Sequence, residues 1–365
     1  MPPTSRRAPA FRPERPAPIL VTGAPGWLGT RLVECLVGGL PEVPRFAEPP
    51  AGRGVRCLVH PDADPMGLAA LGDGVAVVEG DLADPDAARA LCEGARGSVL
   101  FHVAGLVHPR LFTRDFERVN VEGTRLLLEA AEAAGVRRVV VVSSNSPFGF
   151  NPDPDHAFDE SSPYRPYRGY GRSKAAQERL VRQAQERGRL ETVIVRPPWF
   201  YGPHQPARQT LFFRMIREGR FPILGDGRQK RSMAYVDNLC QGLLLGAEVE
   251  RANGQAYWIA DERPYTVNEI VDTVCAVLSE DFSLPCSERR LRLPAIAGRL
   301  AGLADGALQS LGVYRQELHV LGEMPHTIAC SIARAQAELG FRPTVALREG
   351  MRRSIEWCLA NGLRV

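Results

Sequence analysis

Lysine is nearly absent from this sequence: Lys174 and Lys230 are the only two among 45 basic residues, the rest being arginine. Where arginine fills almost every generic cationic position, a surviving lysine marks a place that needs a compact, rotatable ammonium instead of a planar fork. Other absences exclude whole classes of function. The 42 acids nearly balance the bases, the formal charge is +3 and no long basic run occurs, which excludes a nucleic-acid footprint. Cysteines 35, 57, 92, 240, 275, 286, 330 and 358 keep no paired spacing, and the seven histidines keep no metal-ligand spacing. That excludes a disulfide framework and a zinc site, and it points to free thiols in a reducing, cytoplasmic setting. No apolar run approaches the ~18 residues of a bilayer span. Residues 1–17 are rich in Pro and Arg without an apolar stretch, and read as a disordered tail.

What is present is an alternation of short apolar runs with helical patterns. Strands are expected at Ile19–Val21, Val55–Val59, Val75–Val78, Val99–His102, Val139–Val142 and Thr192–Val195. Helices are expected at Trp27–Val37 and near 85–94, 113–134 and 169–187. Continuous Val/Ile/Leu strands between helices mean a parallel sheet covered on both faces. The fold class is therefore α/β: a Rossmann doubly wound parallel sheet over 18–197, rejoined by 236–260. A smaller mixed α/β C-terminal substrate lobe takes 198–235 and 261–365. Within it the apolar stretch Leu293–Leu311 suits a lid helix over an apolar substrate, or an amphipathic helix packed on its own domain.

Lys174 ends Tyr170-Gly171-Arg172-Ser173-Lys174. With 8 tyrosines and two lysines, a Tyr-x-x-x-Lys pair arises by chance only roughly 0.04 times in such a chain. On a helix the two side chains share one face. An ammonium beside a phenol favours the phenolate and lowers its pKa, so the phenol can trade a proton with an alcohol or ketone.

Thr22-Gly23-Ala24-Pro25-Gly26-Trp27-Leu28-Gly29 follows the first strand and opens the first helix. Its glycines allow backbone N–H groups close to a diphosphate, and the helix N-terminus adds partial positive charge. An acid at the end of the second strand would select NAD and an arginine NADP; His60 is neither, so both remain open, with NAD slightly preferred. Asp81, followed by Leu82, is placed near adenine, and Ala104 and Gly105 after the fourth strand permit close approach of a cofactor. His102 is read as a core histidine. The fifth strand delivers Ser143, Ser144, Asn145 and Ser146 at its C-terminal edge, where doubly wound sheets bind ligands. Ser144 is the first choice to hold the reacting oxygen beside Tyr170, and Ser146 the second.

Together these residues resemble the extended short-chain dehydrogenase/reductase family, the NAD-dependent epimerase/dehydratase group, from about Ile19 to Trp357. The resemblance rests on the glycine turn, Gly80-Asp81-Leu82, Asn120-Val121-x-Gly123-Thr124, Ser143-Ser144, Tyr170-x-x-x-Lys174, Arg196-Pro197-Pro198, Tyr201-Gly202-Pro203 and Tyr235-Val236-Asp237-Asn238. It implies Tyr170 as acid/base, Lys174 on the nicotinamide ribose and Ser144 on the substrate oxygen. It further implies a role for Asn120, whose alternative is helix-entry capping, a cofactor contact at Pro197, a small-molecule substrate and a homodimer. Asp237 is expected to cap a helix.

Within that family, sugar dehydratases carry an acidic pair after the hydroxyl residue of strand five; Asn145-Ser146-Pro147 has no carboxylate, which disfavours dehydration. Nucleotide-sugar epimerases place an asparagine before Tyr-Gly-Pro; Pro198-Trp199-Phe200 has no amide there and is similar to the 3β-hydroxysteroid dehydrogenase-like branch. Trp199 and Phe200 narrow the pocket in either case. Against this, Gly225-Asp226-Gly227 with Arg231 is similar to a diphosphate-holding loop, the alternative for Arg231 being a surface ion pair. The leading expectation is an NAD(P)-dependent oxidoreductase acting on a secondary alcohol or ketone. A nucleotide-sugar epimerase using the same triad comes second, and a non-catalytic dinucleotide sensor third.

Overall fold

The computed structural model describes residues 16–365; the expected tail over 1–17 lies almost wholly outside them. The first half runs β1 (Ile19–Thr22), α1 (Trp27–Gly38), β2 (Val55–Val59), α2 (Met66–Ala69), β3 (Val75–Glu79), α3 (Pro85–Cys92), β4 (Val99–His102), α4 (Arg114–Phe116), α5 (Gly123–Ala134), β5 (Arg138–Val142), α6 (Arg168–Glu186) and β6 (Glu191–Arg196). The second half is more broken: β7 (Trp199–Tyr201), α7 (Ala207–Arg217), β8 (Pro222–Leu224), β9 (Lys230–Arg231), β10 (Met233–Tyr235), α8 (Val236–Glu248), β11 (Ala256–Trp258), β12 (Tyr265–Thr266), α9 (Val267–Phe282), β13 (Leu291–Leu293), α10 (Ala295–Ser310), α11 (Gln316–Glu323), α12 (Ala333–Leu339) and α13 (Leu347–Ala360).

Seven strands form one parallel sheet in the order β3-β2-β1-β4-β5-β6-β11. Strands β1, β4 and β5 are buried throughout, as their unbroken apolar runs require. The order reverses between β1 and β4, whose ends are in register, Thr22 opposite His102. At such a reversal the connections leave the sheet in opposite directions and open a crevice. Three two-stranded ribbons, β7 with β10, β8 with β13 and β9 with β12, hold the second half together. Strands this short leave almost no periodic signal, and α11 likewise escapes sequence reading.

Two expected details differ. The helix read over 113–134 is interrupted by a π turn, Glu117–Glu122, with Asn120 buried inside it, so Asn120 caps nothing. Asp237 does not cap α8, whose N-cap is Tyr235. Its carboxylate instead accepts from Arg31 Nε (2.6 Å) and Nη2 (3.0 Å), binding α1 to α8.

Helix α6 is seated on the sheet by buried polar groups. Glu178, fully buried, accepts from Arg196 Nε (3.1 Å) and Nη2 (2.7 Å) on β6, from Ser143 Oγ (2.6 Å) after β5, and from Tyr164 Oη (2.6 Å). Burial alone would raise its pKa, but the Arg196 charge and these donors hold it below the usual carboxylate range. The Arg196 guanidinium also lies 4.5 Å from the centre of the Phe148 ring. Next to Glu178, Gln177 Nε2 donates to Thr124 Oγ1 (2.8 Å), which donates to the Asn120 carbonyl (2.8 Å). His102 Nε2 sits 2.8 Å from Thr124 Oγ1 and its Nδ1 2.8 Å from Thr22 Oγ1. Since Thr124 spends its proton on Asn120, and Thr22 Oγ1 accepts from Ala104 N (3.3 Å), the bonding logic puts the His102 proton on Nε2. A continuous polar chain thus runs from the end of β1 through β4 to α6.

Two outcomes follow. Removing one partner of a buried ion pair strands the other charge at a cost of about 3–5 kcal/mol, whereas an apolar pair of similar volume is close to neutral. Glu178→Ala should therefore lower the unfolding free energy in urea by about that amount, and Glu178→Leu with Arg196→Met should recover most of it. His102 is pushed down to about 3 by burial and by the Lys174 charge, against 6.5 for a free imidazole. The unfolded chain gains a proton below that ordinary value and the folded chain does not until near 3, so this stabilisation is complete at high pH and is lost as pH falls between them. Between pH 7 and 5 the native protein should lose about 2 kcal/mol from this group, and His102→Gln should lose less over the same interval in urea titrations.

Candidate active site

The crevice is lined first by the turn after β1. Gly23 adopts φ +91°, and a Cβ there would lie 2.5 Å from the Ala104 amide nitrogen; a Cβ on Gly29 would run into the Gly23 carbonyl. Only glycine lets this turn press against the end of β4. Helix α1 begins with Gly26 as cap, with no side-chain oxygen on its first N–H groups and no acid in its first turn. Those N–H groups and the positive helix end fit a diphosphate. Ala24 and Leu28 turn their side chains into the core, so they offer only backbone, and Pro25 has no N–H to give. The Trp27 side chain is committed elsewhere: Nε1 donates to the Pro203 carbonyl (2.6 Å) and the ring lies 4.5 Å from Phe200.

At the end of β2 the exposed His60 lies 3.8 Å from an Asp62 carboxylate oxygen and 3.9 Å from one of Asp81. Partial burial would raise the Asp81 pKa, but the Ala83 amide and Arg118 hold it low; Arg118, from the π turn, donates to Asp81 Oδ2 at 2.5 Å. Arg118 carried no sequence signal. Leu82 packs against Gly123 of α5 and belongs to the core. Ala104 and Gly105 follow β4, and a Cβ on Gly105 would stand 3.5 Å from Lys174 Nζ and 3.6 Å from Asn120 Oδ1. These three groups therefore meet under the chain that leaves β4. Pro197 follows β6 directly at the same sheet edge.

Asn120 spends its amide holding this edge: Oδ1 accepts from Leu106 N (2.7 Å), and Nδ2 donates to the Leu106 carbonyl (2.9 Å) and to Ser173 Oγ (3.0 Å). Lys174 Nζ donates to the Val142 carbonyl (2.7 Å) and to Gln177 Oε1. The Tyr170 phenol is near enough to Ser144 for that hydroxyl to act on its pKa. Ser144 Oγ also takes the Ser146 amide (3.2 Å) and lies 3.3 Å from Ser146 Oγ and 3.4 Å from Asn145 Oδ1, so three polar side chains gather at the β5 end. A Cβ on Gly171 would fall 2.5 Å from the Ser146 carbonyl; glycine there lets α6 carry Tyr170 up to this loop. Ser143 is used up by Glu178.

The electrostatics correct one expectation. Burial pushes the Tyr170 phenol up to about 12, the Ser144 contact opposing it and the Glu323 charge adding to it. Lys174 is not among the groups that act on it; burial brings Lys174 itself down to about 7, with Glu178 opposing. Each group is desolvated more than its partner compensates.

Above Tyr170 the second lobe is polar, contrary to a lid over an apolar substrate. Helix α10 turns Gly298, Ala301, Asp305 and Gln309 inward. Asp305 Oδ2 accepts from His319 Nδ1 (3.0 Å), His319 Nε2 lies 3.7 Å from Glu323 Oε1, and Gln309 Oε1 accepts from Gly169 N (3.0 Å) at the start of α6. Burial would lower the His319 pKa, but these two carboxylates raise it; burial raises that of Glu323. Tyr314 Oη meets His108 Nδ1 at 2.6 Å, and its ring packs on Phe116, which packs on Tyr170. Arg231 is no surface ion pair: it is half-buried and its Nη2 donates to the Glu323 carbonyl (2.7 Å). Trp199 packs edge-on to Phe212, and Phe200 packs on Trp27. Sequence reading missed Gln177, Glu178, Asp305, His319 and Glu323, because nothing local distinguishes a polar residue that faces inward.

Comparisons agree with this architecture. The model of the NAD dependent epimerase/dehydratase family matches residues 19–260. A protein of uncharacterized role from Sinorhizobium fredii is 51% identical over 345 residues, 94% of this chain and 96% of its own. A 4-hydroxy-2-methyl-3-oxo-4-farnesyl-3,4-dihydroquinoline-1-oxide ketoreductase from Stigmatella aurantiaca is 35% identical over 337 residues, 91% of this chain and 93% of its own. Among solved structures, a dTDP-glucose 4,6-dehydratase from Streptomyces venezuelae, crystallised with NAD, is similar at TM-score 0.70 and 25% identity, covering 94% of this chain and 97% of that one. The glycine turn, the sheet order and the Tyr170–Lys174 helix thus belong to a chain of the NAD-dependent epimerase/dehydratase family, an extended short-chain dehydrogenase/reductase enzyme.

Proposed function

We propose that the protein is an NAD(P)-dependent oxidoreductase that interconverts a ketone and a secondary alcohol on a polar small molecule, working in the reducing direction. The observation that carries this reading is the close approach of α6, through Gly171, to the Ser146 carbonyl at the strand end that also carries Ser144, whose next residues, Asn145, Ser146 and Pro147, bring no carboxylate for elimination. The similar ketoreductase from Stigmatella aurantiaca, named for a farnesyl-bearing ketone, supports the ketone chemistry but not the polarity of the substrate.

When bound, the nicotinamide supplies the hydride for the carbonyl carbon. Ser144 holds the carbonyl oxygen, and Tyr170 donates its proton to that oxygen as the alcohol forms. A phenol held near 12 stays protonated at neutral pH, which suits donation better than abstraction. In this reading Lys174, beside Gly105 and Asn120, would hold the ribose, and Gly23, Gly26 and Gly29 with the α1 N-terminus would hold the diphosphate. NAD is preferred over NADP because a 2′-phosphate near His60 would face Asp62 and Asp81. Arg231, half-buried in the lobe, supports a second reading, epimerisation of a nucleotide sugar by the same triad. An epimerase regenerates its cofactor and can retain it; stoichiometric NAD released on denaturing the purified protein would favour that reading.

Tyr170→Phe should lower turnover with ketone substrates by roughly a thousandfold while cofactor affinity changes less than about threefold. Stopped-flow oxidation of the reduced cofactor and fluorescence titration measure the two quantities; near-normal turnover would remove Tyr170 from the mechanism.

A further inference from the structure

Helix α10 is built inside out. Its inward stripe carries the polar Asp305 and Gln309, whereas Ile296, Leu300 and Leu303, with Leu311 just past its end, stand 59–78% exposed. At about 100° per residue the two stripes lie on opposite sides of the helix. Polar contacts therefore seat it: Gln309 on the Gly169 amide, Asp305 with His319, and Arg168 Nη2 on the Gly302 carbonyl (2.5 Å). The aliphatic residues add nothing to that seat and face water, which a helix of a lone soluble domain avoids.

The patch continues onto the loop before α4. Phe112 bridges Val313, and Thr113 N and Tyr314 N bond to the Gly312 and Leu111 carbonyls (3.0 and 2.8 Å). Exposed Leu111 and Phe112 thereby join Leu311. Around these residues stand Arg110, Arg114, Arg299 and Arg315, all exposed. Among the described residues none of the four has a carboxylate within ion-pair distance, although arginines elsewhere on the surface, such as Arg125, Arg348 and Arg352, are paired. Helix α10 has one acid, the buried Asp305, and loop 107–114 has none; α11 adds the exposed Glu317 and the half-buried Glu323, which lies 3.7 Å from His319.

We infer that α10 and loop 107–114 form a docking surface for an anionic lipid bilayer, on which the protein rests peripherally. Anionic headgroups neutralise the unpaired guanidinium groups while the acyl boundary takes Ile296, Leu300 and Leu303. A second copy fits worse, because a two-fold contact through this patch would set the same four arginines against themselves. Docking is interfacial: no helix among the described residues is long and apolar enough to cross a membrane.

The full-length protein would be sedimented with phosphatidylcholine vesicles and with vesicles that also contain phosphatidylglycerol. Binding is expected to the anionic vesicles only, weakening as salt is raised. Leu300→Gln with Leu303→Gln, and separately Arg110→Gln with Arg299→Gln, should each reduce it by roughly tenfold with melting temperature and cofactor affinity unchanged. Absence of binding to anionic vesicles overturns the inference, as does equal binding to both compositions. A native dimer that Leu300→Gln with Leu303→Gln converts to monomer in sedimentation equilibrium would also overturn it, assigning the face to a second copy.

Discussion

The site depends on one buried charge pair. Glu178 and Arg196 are both removed from water, and Glu178 takes hydrogen bonds from β6, from the segment after β5 and from Tyr164. An isolated carboxylate at that depth would be prohibitively costly, so helix α6 has a single acceptable height and rotation on the sheet. Tyr170 and Lys174 ride on the same helix two turns and one turn earlier. Their placement against Ser144 and Gly105 is thus inherited from a contact that does no chemistry.

Sequence reading reaches far into the first half of this chain because the physics there is local. Strands such as Val139–Val142 are apolar without interruption, the glycine turn needs its residues adjacent, and Tyr170 and Lys174 are paired by helical spacing. It fails where a residue's meaning is set by a distant partner. Asp237 looks like a cap until Arg31 arrives from α1, and Asn120 looks like a helix entry until Leu106 and Ser173 take its amide. The direction of the Tyr170 shift was illegible for a different reason: it turns on desolvation, which spacing does not encode.

The lobe over the site teaches the same lesson in reverse. The apolar composition of Leu293–Leu311 suggests a hydrophobic cover, yet the helix turns Asp305 and Gln309 inward and Leu300 and Leu303 outward. The second lobe therefore sets imidazoles, carboxylates and guanidinium groups around the start of α6, a setting that favours ligands able to answer several hydrogen bonds at once. Composition counted those residues correctly and gave no sign of their side.

The scarcity of lysine has a practical corollary for handling the molecule. Lys174 is sealed beneath the β4 exit, while Lys230 stands on the surface of the second lobe, its ammonium 3.0 Å from an Asp155 oxygen. Among side chains, then, amine-directed coupling finds a single reachable handle on the described fold. A dye or a tether attached there sits on β9 of the second lobe, so copies labelled at Lys230 present their nucleotide crevice in the same orientation.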